Sequence, residues 1–104
     1  MQIANYKIYQ AGSDASDFRF MRWDFAKEHG FDFTKYTDVW NSSTGLGDNP
    51  YKTLGYLFFV FNQEIPEGFA GHSMSVSDIV FLGGKYYYCN DIGFIDITDT
   101  IKEV

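Results

Sequence analysis

The chain of 104 residues is poor in the residue types that most often announce a chemistry: one cysteine, two prolines, two histidines and eight basic side chains. A lone Cys89 excludes an internal disulfide and any cysteine-rich zinc site. His29 and His72 stand far apart, without metal-ligand spacing, so no metal and no cofactor are expected. No apolar window approaches the ~18 residues of a membrane span; the densest, Leu54 to Phe61, is far too short. Met1-Gln2-Ile3-Ala4-Asn5-Tyr6 lacks the basic region and apolar core of a secretion signal, and the expected location is the cytoplasm. The eight basic residues are scattered and outnumbered by fourteen acidic ones, for a net charge of −6. That balance argues against direct nucleic-acid binding, which relies on Lys and Arg to neutralise phosphates. Gly45-Leu46-Gly47 lacks the lysine and helix context of a phosphate loop.

Aromatic residues are abundant instead: eleven Phe, eight Tyr and two Trp. Disorder needs the opposite composition, and the length fits one domain, 1–104, that buries roughly 65% of its unfolded surface without staples. One small core cannot enclose so many rings, so some are expected at the surface.

Ile3 to Tyr9 reads as a strand with Ala4, Tyr6 and Ile8 on one face. Ala11 to Asp17 is a turn-rich loop, and Phe18-Arg19-Phe20 reads as a short strand. Trp23 to His29 is helical in pattern, with Gly30 as a left-handed cap; His29 in its last turn complements the helix dipole. Tyr36 to Trp40 reads as a strand and Asn41 to Asp48 as a polar loop. Asn49-Pro50 opens a second helix, Asn as N-cap and Pro at the first position. Leu54, Leu57, Phe58 and Phe61 form its apolar stripe. Gly55 costs that helix about 1 kcal/mol relative to Ala, which implies a closely packed neighbour. Residues after Asp99 are expected to fray.

The Gly83-Gly84 step supplies the positive φ angles of a two-residue hairpin turn. It pairs Leu82 with Lys85, Phe81 with Tyr86, Val80 with Tyr87 and Ile79 with Tyr88. With Asn90 to Gly93 as the next turn, Tyr88 faces Ile95 and Tyr86 faces Ile97. One face then carries Ile79, Phe81, Tyr86, Tyr88, Ile95 and Ile97; the other carries Asp78, Val80, Leu82, Lys85, Tyr87, Phe94 and Asp96. The first face needs a cover, and the Leu54 to Phe61 helix is the expected one. The fold class that follows is α+β: a mainly antiparallel sheet ending in a three-stranded meander, with two helices packed on one face.

Gly71-His72-Ser73-Met74-Ser75-Val76-Ser77-Asp78-Ile79-Val80, the tyrosine-rich strand after it and Asp91-Ile92-Gly93-Phe94 resemble the YodL-like domain family. Its members often carry Gly-His-Ser-Leu-Ser-Val-Ser-Asp-Val-Val and then Tyr-Val-Asp-Ser-Phe-Gly-Phe. Tyr6 to Gln10, Tyr36 to Trp40 and Leu54 to Asn62 fall where that family has its first strand, a Tyr-centred segment and a helix ending in Phe-Asn. The chain departs at Met74 and at Cys89-Asn90-Asp91-Ile92, where the family usually has Val-Asp-Ser-Phe, so a role of that Asp and Ser does not carry over. The resemblance implies the fold and a setting in bacterial mobile elements and phages. It marks Gly71, His72, Ser73, Ser75, Ser77, Asp78, Gly83, Gly84, Gly93 and Phe94 as the structural motif.

His72, Ser73, Ser75, Ser77 and Asp78 hold the residue types of a hydrolytic triad, but no strained nucleophile elbow or oxyanion loop accompanies them. Capping of turns by Ser75, Ser77 and Asp78 is the simpler reading. Tyr87 alone makes a poor nucleic-acid stacking platform. The expected function is a non-enzymatic, acidic protein-binding module that occludes a basic, nucleic-acid-binding groove of a host protein, as in counter-defence. Trp23, Trp40 and Tyr87 are its expected aromatic anchors, with Asp32, Asp38 and Glu67 as charge contacts. Two alternatives stand beside it: an accessory interaction domain that forms a homodimer through Val80, Leu82, Tyr87 and Phe94, and a small hydrolase using His72 and Asp78.

Overall fold

A computed structural model describes residues 2–102. Strands β1 (Gln2–Ala11), β2 (Tyr36–Leu46), β3 (Ile79–Leu82), β4 (Lys85–Cys89) and β5 (Phe94–Asp96) form one sheet in the order β2-β1-β3-β4-β5. Every neighbouring pair is antiparallel. Helices α1 (Trp23–Ala26), α2 (Pro50–Gln63) and α3 (Thr98–Lys102) complete the α+β architecture. β3, β4 and β5 are the expected meander.

The hairpin register is the expected one. Gly83 (φ 58°) and Gly84 (φ 87°) turn the chain, and Leu82 pairs with Lys85 through to Ile79 with Tyr88. Tyr88 pairs with Ile95, and Ile97 N donates to Tyr86 O at 2.9 Å.

The cover is different. α2 packs Leu54, Leu57 and Phe61 on Tyr6, Ile8, Val80, Leu82 and Tyr87, the face opposite the one expected. Ile79, Tyr88 and Ile97 are covered instead by Ala15, Phe18 and Ala26 from the β1–β2 connection, with Trp23, Phe31, Phe33 and Tyr36 around them. The helices therefore lie on two faces, not one. Both sides of β3 and β4 are largely apolar because both sides are roofed, and a period-two pattern alone cannot assign a roof to a side. The Val80, Leu82, Tyr87 and Phe94 face, through which the alternative homodimer would form, is closed by α2 of the same chain; Val80, Leu82 and Tyr87 are at most 3% exposed.

Three local expectations also change. Phe18–Phe20 is turn, not strand, and Phe20 holds a left-handed φ of 67°. Asn41 to Leu46 continues β2, pairing with Gln2 to Lys7. These polar side chains are mostly exposed, and an edge strand needs only its backbone to pair. α3 takes in residues 100–102, where fraying was expected after Asp99, while 103 and 104 lie outside the described residues; Thr98 N and Oγ1 donate to Asp96 Oδ1 at 2.9 and 2.6 Å, which anchors its start. α2 begins as its sequence dictates, with Asn49 Oδ1 accepting from Tyr51 N at 3.0 Å.

Candidate functional site

The motif segment before β3 is bound to the end of β1 through one side chain. Gln10, 4% exposed, accepts from His72 N through Oε1 at 3.0 Å and donates through Nε2 to His72 O at 2.8 Å. The same Nε2 donates to Asp78 Oδ2 at 3.0 Å, and Ser75 N donates to that oxygen at 2.9 Å. Gly71 lies against the Gln10 amide, where an added Cβ would overlap Oε1. The motif glycine is thus a close-approach glycine.

Asp78 is 1% exposed. Burial pushes its carboxyl up to about 7, against the Ser75 and Gln10 hydrogen bonds and the charges of His72 and Arg19, which favour the ionised form. Ser77, equally buried, has φ 83°; its carbonyl accepts from Tyr36 Oη at 2.6 Å and its Oγ from Phe20 N at 2.9 Å. Burial also pushes the Cys89 thiol up to about 12, with the Asp78 charge adding to it.

The hydrogen bonds of the triad candidates go to other partners. His72 Nδ1 donates to Ser73 O at 2.7 Å, and Ser75 Oγ to the same carbonyl at 2.9 Å. His72 Nε2 is buried without a partner. Asp78 Oδ2 is occupied by Gln10 and Ser75, not by the imidazole. Among the described residues no group of three His, Cys, Asp or Glu side chains could hold a metal. His29, at the end of the α1 region, donates through Nδ1 to Phe25 O at 2.8 Å and stacks on the Phe25 ring.

The six expected contact residues do not form one patch. Trp23 is half-buried against Phe31 and Tyr88, with ring centroids 4.9 and 5.0 Å away. Trp40 belongs to the opposite layer, its Nε1 donating to Tyr6 Oη at 2.9 Å. Tyr87, 3% exposed, is core. Asp32 caps the 3-10 turn Phe33–Lys35, and the Thr34 hydroxyl and N–H hold its carboxyl below the ordinary value. Asp38 braces a bulge in β2: Ile8 pairs with Trp40 and Tyr9 with Asp38, while Asn41 Nδ2 bonds both Asp38 oxygens at 2.8 Å. Glu67 is exposed in the connector after α2.

Phe20 and Phe25 are exposed near α1, and four more exposed rings lie on α2. Tyr51 (49%), Tyr56 (60%), Phe58 (41%) and Phe59 (50%) are all accessible, and Ile65 follows at 46%. Phe58, expected in the buried stripe, faces outward. The signal was in the sequence: Tyr51, Tyr56 and Phe59 fall off the Leu54-Leu57-Phe61 stripe, so the helix carries more aromatic surface than one buried face can take. Beside it, the turn between β4 and β5 carries Ile92, 89% exposed. Between that turn and α2 lies a cleft of about 300 Å³. Tyr51, Phe58 and Phe94 contribute rings to it, Gly55 sits on its helix side, and Cys89, Asn90, Asp91 and Gly93 complete the lining. Gly55 has no neighbour within 4 Å of an added Cβ, which overturns the close packing expected there.

The YodL-like domain model matches residues 5–99, and so takes in every strand from Asn5 onward, the Gln10 clamp and the Gly71–Asp78 segment. The chain belongs to the YodL-like domain family. No curated protein and no solved structure gives a significant match. In this YodL-like domain the Gly-His-Ser segment is held by the Gln10 side chain, and no described helix is long and apolar enough to cross a membrane.

Proposed function

We propose that this YodL-like domain is a non-enzymatic protein-binding module of a bacterial mobile element or phage. It acts in the cytoplasm, docking on a basic host protein and occluding a groove that otherwise holds nucleic acid, as a counter-defence protein restraining a restriction or CRISPR effector does. The observation that carries the reading is the set of four accessible rings on α2, Tyr51, Tyr56, Phe58 and Phe59, on a chain with net charge −6. Aromatic side chains dominate binding energy at interfaces, contiguous exposed apolar surface marks interaction sites, and the negative field steers a basic partner. The reading takes its anchors from α2, in place of Trp23, Trp40 and Tyr87. The engaged hydrogen bonds of His72, Ser75 and Asp78 favour a structural over a hydrolytic role.

The test is capture of partners from a host lysate at low and high salt, with competing DNA or RNA added. The reading expects a basic nucleic-acid-binding protein that is lost at high salt and displaced by its own ligand. A salt-insensitive self-complex with no foreign partner would replace it with the homodimeric accessory domain. Loss of biological effect in a folded His72→Ala variant would replace it with the hydrolase.

A further inference from the structure

Gly55 is an anomaly within α2. A glycine in a helix interior costs about 1 kcal/mol relative to Ala, and intramolecular packing usually explains it. Here nothing lies within 4 Å of an added Cβ. What the missing side chain leaves is the floor of the cleft of about 300 Å³ beside the β4–β5 turn.

The cleft has a definite chemistry. Its walls are the Tyr51, Phe58 and Phe94 rings. Tyr51 is held by edge-on packing against buried Tyr87, centroids 5.6 Å apart at 79°. Asn90 is fixed by its Oδ1, which accepts from Trp23 N at 2.8 Å, and by its N–H, which donates to Gly93 O at 2.9 Å. That closes the turn and sets Asp91 at the rim, exposed, with Oδ1 accepting from Ile92 N at 3.0 Å. Asp91 is the one charged group in the lining, and no Lys, Arg or His takes part. Aromatic walls with a single carboxylate suit a flat organic cation: ring faces attract it through their quadrupole, and a carboxylate pairs with a guanidinium in bidentate fashion.

We propose that the cleft receives an arginine side chain of the basic partner, its guanidinium lying among the Tyr51, Phe58 and Phe94 rings and paired with Asp91. The proposal rests on the docking function above and names the contact through which α2 would read its partner. Arginine suits the site better than lysine because its planar, weakly hydrated cation stacks on rings.

The test is an NMR titration of the intact chain with N-acetyl-arginine amide, followed at the amides of Gly55 and of Asn90 to Gly93. N-acetyl-citrulline amide, its uncharged isostere, is the control. Arginine amide should shift this cluster, with citrulline amide about tenfold weaker, the factor that a cation–π contact plus a partly desolvated ion pair supplies. Gly55→Leu fills the cleft and should abolish the shifts while favouring the helix. Asp91→Asn, on an exposed turn that keeps its fold, should weaken them several-fold. No response up to roughly 50 mM ligand, an equal response to citrulline amide, or a response untouched by Gly55→Leu each overturns the proposal. If arginine amide binds but no salt-sensitive basic partner is captured from lysate, the docking function falls and the cleft stands; the reverse pattern removes the cleft alone.

Discussion

The backbone N–H of Phe20 donates to Ser77 Oγ at 2.9 Å, and these two are the non-glycine residues that hold positive φ among the described ones, 67° and 83°. Each left-handed residue costs on the order of 1 kcal/mol or more and persists only where its surroundings over-determine it. The connection across the sheet and the motif segment thus hold each other in conformations neither would keep alone.

Two substitutions at Ser77 separate the bond from the strain. Ser77→Ala keeps the strained φ and leaves the Phe20 N–H without its acceptor, a loss of about 1–3 kcal/mol. Ser77→Gly loses the same bond but relieves the backbone, so its loss in urea denaturation should be smaller. A Gly variant less stable than the Ala variant would show that the φ is unstrained.

Gly71 and Gln10 should behave as one unit. Gly71→Ala drives a methyl into the Gln10 amide, and overpacking of this kind costs about 1–3 kcal/mol. Shortening Gln10 to Ala removes the obstacle, so in a double-mutant cycle the Gly71→Ala penalty should shrink. Additive losses would mean that the contact is not made.

Asp78 sets a pH dependence with a defined sign. Its folded carboxyl titrates near 7, above the ordinary value of 3.8, so between those values the folded chain binds more protons than the unfolded one. Stability from this group is full below about 4 and falls as pH rises through 7. Asp32 and Asp96, held low by Thr34 and Thr98, act in the opposite sense but in a more acid window. Asp78→Asn can present one oxygen to both Ser75 N and Gln10 Nε2, so it should fold and flatten the decline between pH 4 and 7. An unchanged slope would assign the decline to another group.

On α2 the buried and outward residues should part company. Leu57→Ala should cost about 2–5 kcal/mol. Tyr56→Ala and Phe59→Ala should stay within about 0.5 kcal/mol of the parent while reducing partner capture in the lysate assay. If they destabilise as much as Leu57→Ala, the outward rings serve the fold and not a partner.

Cys89 should resist iodoacetamide at pH 8. Burial holds its thiol far above that pH, and the thiolate is the reacting species. Modification should keep pace with unfolding when denaturant is added; rapid labelling of the native chain would contradict its burial.

Much of the fold is legible in local chemistry. Gly83-Gly84 dictates the pairing from Leu82–Lys85 to Ile79–Tyr88, and Asn49-Pro50 opens α2. The side of the sheet that α2 covers is not legible, because Ile79 and Tyr88 on one face are as apolar as Val80 and Leu82 on the other. The polar run Asn41 to Thr44 hides a strand because edge pairing needs no buried side chains. The Gln10 clamp escapes any window, since its partners His72 and Asp78 lie 62 and 68 positions along the chain. The outward rings of α2 were visible in the sequence, but only the location of its core contacts shows which of its aromatic residues are left over.

β1 meets β3 along only four residue pairs, Tyr6–Leu82 to Tyr9–Ile79. Among the described residues that seam is the sole strand-to-strand junction between the part of the chain ending in α2 and the part beginning at Gly71. The later part can zip up early, since a two-residue reversal brings its strands together, whereas the seam must bring together positions at least seventy apart and so waits on a slow loop closure. Until it shuts, each half presents an open strand, and the later half lacks the cover that α2 and the β1–β2 connection supply, which makes this narrow suture the step that commits the molecule to its native form.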